Sequence, residues 1–197
     1  MVIKRGVVLL RPIDALKEKL KTVLSGERYV HSLRVADLSV ILARRFGADE
    51  RKAETAGILY DCARDLSFGE ALKEADKFGI ILDDVTKNSP GIIHAVIGEA
   101  LARFKYNIND REVLDAIRYH TTGRKGMSLL EKIVFIADYT EPHRDFPGVG
   151  DARKILEQSL DKAVLYAMEN TLSHLLEKRM LIHLDTIDAR NHYLAQR

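Results

Sequence analysis

Residues 29–46 read YVHSLRVADLSVILARRF and are followed by Gly47, Ala48 and Asp49. Val30, Leu33, Val35, Leu38, Ile41 and Leu42 recur here at the spacing that gathers side chains on one face of a helix, not at the alternation of a half-buried strand. Gly47 suits the residue that ends a helix, and Asp49 suits the N-cap of the next. The stretch therefore predicts a helix over residues 29–46 with these apolar side chains turned inward.

The same period extends in both directions. Upstream, Pro12 fits a first helical turn. Ile13, Leu16, Leu20, Val23 and Leu24 share one face, and Ser25-Gly26 ends the helix. Downstream, helices are expected at about 50–63, 68–78, 92–104, 110–120, 128–139, 160–178 and 186–195. Residues 80–91 are irregular, with Ser89-Pro90-Gly91 as a turn signal, and loops are expected at about 121–126 and 142–150. Strand-like alternation is nearly absent, and no repeat, linker or break in composition divides the chain. The expected fold class is all-α: a single helical-bundle domain over residues 12–197, preceded by a short extension over residues 1–11.

Composition narrows the function. The chain has 197 residues, enough to enclose a sizeable core. Lys and Arg total 31 against 29 Asp and Glu, so the formal charge is +2, which gives no support to binding extended nucleic acid or a membrane. A local basic pocket for phosphate is compatible with that balance. The one cysteine, Cys62, has no partner for an internal disulfide, which fits a reducing compartment. With no histidine placed locally to activate it, Cys62 reads as a small buried residue. The first apolar run, Val7 to Leu10, stops at Arg11 and Pro12 and is too short for a signal peptide or a membrane span. The expected location is cytoplasmic. No GxxxxGK[ST], GxGxxG or GxSxG stretch occurs, which argues against nucleoside-triphosphatase loops, dinucleotide folds and serine hydrolases.

Several apolar runs lead directly into a side chain able to bind a metal. Ala56-Gly57-Ile58-Leu59-Tyr60 leads into Asp61, Ile92-Ile93 into His94, Val113 to Ile117 toward His120, and Ile133 to Ala137 into Asp138; His31 follows Tyr29-Val30. A buried charge without a partner is costly, and a divalent cation compensates several such groups at once. Imidazole and carboxylate together suit zinc, iron or manganese. Taken singly, each residue is more often a satisfied polar group or half of an ion pair than a metal ligand; the set says more than any member. His174, His183 and His192 fall outside the set and read as structural.

The order His31, Asp61, His94, His120, Asp138 resembles the HD phosphohydrolase superfamily, and the surrounding text resembles its YqeK branch, the bacterial symmetrical diadenosine tetraphosphate hydrolases. The resemblance is carried by Arg28-Tyr29-Val30-His31-Ser32-Leu33-Arg34, His94-Ala95-Val96-Ile97-Gly98, Arg118-Tyr119-His120-Thr121-Thr122-Gly123 and Asp138-Tyr139-Thr140-Glu141-Pro142-His143-Arg144. It covers roughly residues 16–193. It implies an all-helical fold and a di-metal centre, typically di-iron. One metal would take His31, a His-Asp doublet and Asp138, the other His94 and His120, with Asp61 bridging. The substrate implied is diadenosine tetraphosphate, cut in the middle to two ADP, or a related dinucleoside polyphosphate. A homodimer is compatible with the resemblance, although no segment marks an interface.

Around that centre, Asp61, Arg64 and His143 are expected to serve catalysis. Arg64, Arg118, Thr121, Thr122, Gly123 and Arg144 are expected to hold phosphate. The chain departs from the pattern at the doublet, which reads Tyr60-Asp61 where the family has His-Asp. Three outcomes are open: Tyr60 ligates as a phenolate, favouring ferric iron; water fills the gap; or the centre holds one metal or none. Arg64 also stands where the family commonly has Lys. The alternatives to a dinucleoside polyphosphate hydrolase are an HD phosphohydrolase of simpler nucleotides and a nucleotide-binding protein with a degenerate centre.

Overall fold

A computed structural model describes residues 12–196; the extension expected over residues 1–11 lies outside them. Among the described residues the chain forms α-helices and no strand. In order these are α1 (Pro12–Lys21), α2 (Gly26–Phe46), α3 (Glu50–Leu59), α4 (Phe68–Phe78), α5 (Pro90–Phe104), α6 (Arg111–Tyr119), α7 (Leu129–Thr140), α8 (Val149–Leu156), α9 (Leu160–Glu177) and α10 (Leu184–Leu194). A 3-10 turn, Thr86–Asn88, lies in the irregular stretch before α5.

The local signals act as their chemistry dictates. Gly47 ends α2 in the left-handed conformation at φ 82°. Asp49 caps α3 by accepting the backbone N–H groups of Arg51 and Lys52. Ser67 and Glu70 close a reciprocal capping box on α4. The central helix is α7, in which Ile133, Val134, Ile136 and Ala137 are all fully buried. Helix α2 packs along α3 and α7, α6 lies against α3, α5 and α7, and α9 covers α7 beside α8 and α10.

The structure corrects several expectations. On α2, Val35 and Leu42 enter the core, but Val30 and Ile41 are exposed. Their spacing placed them at the edges of a stripe that only one side of the bundle covers. Helix α3 ends at Leu59, so Tyr60 and Asp61 sit on the turns that follow it rather than on a helix running to residue 63. Helix α2 begins at Gly26 instead of residue 29. Helix α8 falls partly within and just beyond the loop expected over residues 142–150.

Close approach of α2 and α3 depends on Gly57. A Cβ there would sit 2.6 Å from Ala36 Cα, a backbone atom with no room to yield. Gly57→Ala is therefore expected to force the two helices apart and destabilise the fold by about 1–3 kcal/mol. Thermal denaturation checks this: an unchanged or raised melting temperature would contradict the packing described.

Candidate metal centre

Asp61, His94 and His120 come from the turn after α3, the second turn of α5 and the end of α6. All are buried, and one ligand atom from each lies within 4.8 Å of the others. His94 Nε2 is 3.0 Å from Asp61 Oδ1 and 3.1 Å from His120 Nε2. His120 Nε2 is 3.7 Å from Asp61 Oδ1. Burial and the neighbouring His94 pull the His120 imidazole down to about 4, so it is neutral at pH 7. Its Nδ1–H donates to the Ile117 carbonyl at 2.8 Å. That fixes the tautomer with the Nε2 lone pair free, as a metal-ligating histidine requires. Burial alone would raise the Asp61 carboxyl, but the hydrogen bond from His94 and the neighbouring imidazoles outweigh it, so the carboxyl is lowered and Asp61 stays ionised. Two imidazoles and one carboxylate fit a divalent cation.

One neighbour must give way for that. Arg64 Nη1 lies 2.8 Å from His94 Nδ1, and a guanidinium only donates. His94 therefore carries its proton on Nε2 in this arrangement. Ligation through Nε2 requires Arg64 to release Nδ1.

The other expected ligands gather beside this cluster but are differently engaged. His31, from the second turn of α2, places Nε2 at 3.0 Å from Asp138 Oδ1, near the end of α7. Tyr60 is fully buried. Its ring meets His120 edge-on at 4.8 Å and stands 6.1 Å from His31, between the two groups. Its hydroxyl donates to Asp138 Oδ1 at 3.1 Å. Burial and the Asp138 charge push the phenol well above its ordinary pKa of 10, so it keeps its proton. A protonated phenol already donating to a carboxylate is a poor metal ligand. Arg144 Nη2 donates to the same Asp138 oxygen at 2.5 Å. Burial opposes the Asp138 charge, but the hydrogen bond with His31 and the Arg144 cation hold this carboxyl well below the usual range. The donor set of this half does not fit a metal.

Residues 28–143 match the HD domain family. The chain belongs to the HD domain family. The chain is 39% identical, over 84% of its length and 89% of the relative's, to the symmetrical bis(5'-nucleosyl)-tetraphosphatase of Bacillus subtilis. The protein of the same description from Staphylococcus aureus is 38% identical, over 92% of this chain and 94% of its own. A crystal structure from Clostridium acetobutylicum, described as a predicted HD superfamily hydrolase involved in NAD metabolism, superposes with a TM-score of 0.90. It shares 39% identity and covers 93% of this chain and 97% of its own. The HD domain and the buried Asp61, His94 and His120 together make this a metal-binding site.

Two cavities flank the centre of the HD domain. On the His31 side is a polar cleft of about 600 Å³ lined by Arg28, His31, Arg34, Glu141, His143 and Arg144 among others. On the His120 side is a mainly apolar cavity of about 380 Å³, bordered by Pro90, Ile92, Thr121, Thr122, Met180 and Leu181 among others. His143 is largely exposed at the cleft, its Nδ1 3.6 Å from Glu141 Oε2. The Thr121 hydroxyl is buried without a hydrogen-bond partner, whereas that of Thr122 donates to the Gly123 carbonyl at 2.9 Å. Gly123 turns the chain at φ 65°, and a Cβ there would meet Met168 Cε at 2.6 Å, so its position is set by packing. Arg118 faces Glu99 at 3.8 Å and lines neither cavity. Cys62 is buried against the Gly98 carbonyl, and burial pushes its thiol up to about 12, as expected of an inert residue. His183 caps α10 by accepting from the Asp185 N–H, which bears out its structural reading.

Sequence reasoning missed four residues here. Glu141, almost wholly buried, places Oε1 3.4 Å from His31 Nδ1 and accepts the His143 N–H at 3.0 Å. Arg153 on α8 donates to the carbonyls of Thr140, Glu141 and Arg144 at 3.0, 2.7 and 2.8 Å. No local pattern marks it. Arg28 and Arg34 flank His31 three residues away on either side, which puts all three on one helix face, and that spacing could have revealed them.

Proposed function

We propose that this chain hydrolyses symmetrical dinucleoside tetraphosphates, diadenosine tetraphosphate first among them. Water attacks a central phosphorus, the middle P–O–P bond breaks, and two nucleoside diphosphates leave. The observation that carries this reading is the buried Asp61, His94 and His120 cluster, flanked by an arginine-lined cleft and an apolar cavity. The relatives named above support the choice of substrate.

Asp61, His94 and His120 hold the cation; when bound, it supplies Lewis-acid stabilisation and lowers the pKa of water. The remaining work falls to the protein's own groups. Arg28, Arg34 and Arg144 neutralise phosphate charge in the cleft. Arg64, once released from His94, turns a guanidinium fork toward phosphoryl oxygens. Arg144 is tied to Asp138 through Nε and Nη2, which leaves Nη1 as its donor toward substrate. His143 offers a hydrogen bond to the departing diphosphate from the rim. On the other side, the apolar cavity bordered by Pro90, Ile92, Met180 and Leu181 takes a nucleoside.

The test is product analysis by ion-exchange chromatography after loading the protein with a divalent metal. ADP as sole product, lost on adding a chelator, is the expected result. A mixture of ATP and AMP, or no turnover by metal-replete protein, overturns the proposal.

A further inference from the structure

We infer that this centre takes a single metal ion, and that the Arg144 guanidinium with the Tyr60 hydroxyl occupies the place of a second. The inference concerns the site of the proposed hydrolase, but its readout, metal per chain, is independent of turnover.

The geometry is specific. His31 Nε2 and Asp138 Oδ1 are the atoms that would ligate a cation in this half, and both face one guanidinium nitrogen. Arg144 Nη2 lies 2.5 Å from the carboxylate oxygen and 3.2 Å from the ring nitrogen. Metal bonds of about 2.0–2.2 Å from both atoms cannot form while Nη2 stands against them. A guanidinium is permanently charged and has no lone pair to offer, so it neither ligates nor leaves by deprotonation.

The arrangement is held from several sides. Arg144 Nε donates to the Asp138 backbone carbonyl at 3.0 Å, and Arg153 clamps the Arg144 carbonyl at 2.8 Å. Tyr60 adds a second donor to the same carboxylate oxygen, where the family resemblance expects an imidazole with a lone pair. One buried anion thus receives a cation and a hydroxyl from the chain itself. Positive charge reaches this half of the centre without a metal, already fixed in place.

The experiment loads the full chain anaerobically with excess Mn(II), removes the unbound ion and counts metal by mass spectrometry, with electron paramagnetic resonance in parallel. One Mn(II) per chain with the spectrum of an isolated ion is expected. The double variant Tyr60→His, Arg144→Gln is expected to take two, with an exchange-coupled spectrum. Two ions or none in the unmodified protein, or one in a folded double variant, overturns the inference; if the double variant does not fold, the unmodified protein decides alone. One ion without hydrolysis of diadenosine tetraphosphate sinks the hydrolase reading and leaves this one. Hydrolysis with two ions does the reverse.

Discussion

Asp61→Asn is expected to cut turnover of diadenosine tetraphosphate about a thousandfold or more while the protein stays folded. Asp61 is the one carboxylate among the clustered donors. Asparagine keeps its shape but removes the negative charge that holds a dication between two neutral imidazoles. Lewis-acid stabilisation is worth several kcal/mol, and each 1.4 kcal/mol is about tenfold in rate, so losing about 4 kcal/mol gives the stated fall. Metal content should drop with activity, while the metal-free melting temperature should move by no more than about 2–4 °C, the shift that about 1 kcal/mol produces in a chain of this size. Full turnover or full metal content in the variant would remove Asp61 from the centre.

The largest stability effect should come from Arg124→Ala, outside the centre. Glu131 on α7 is almost wholly enclosed, with a side chain 1% exposed. Its two oxygens receive Arg124 Nε at 2.8 Å and Nη2 at 2.6 Å. The same guanidinium reaches Asp115 at 3.1 Å and lies over the Tyr119 ring, 4.5 Å from its centroid. Removing it leaves a buried carboxylate without its cation, which ordinarily costs about 3–5 kcal/mol. Arg124 is about one-third exposed, so water recovers part of this, and about 3 kcal/mol is expected. For a chain of this length that corresponds to a fall of about 6–12 °C in melting temperature. Adding Glu131→Leu should restore much of the loss, because an apolar replacement leaves no stranded charge. A single variant that melts with the parent would show that solvent already screens Glu131.

Much of this protein was legible from spacing and residue type. The helical period located α4, α5, α7 and α9 closely, and the caps at Gly47 and Asp49 followed from side-chain chemistry. Apolar runs ending in Asp or His pointed to Asp61, His94, His120 and Asp138, since a charge at the end of a buried run needs a partner. The same logic did not reach Glu141 or Arg153, which follow no periodic run. It also placed Val30 and Ile41 inside, because a period shows which side chains share a face but not how much of that face a neighbour covers.

The chain's amino-acid order alone determined the all-helical class, the kinds of donor and the Tyr60-Asp61 departure, because these depend on residues within a few turns of one another. Only the tertiary structure decided that His31 and Asp138, 107 residues apart, meet around a guanidinium instead of simply facing each other, and that Asp61, His94 and His120 form the buried cluster that fits a metal. Which groups meet across a core depends on how whole helices pack, and that balance of burial and charge is summed over the entire fold rather than written in any one segment.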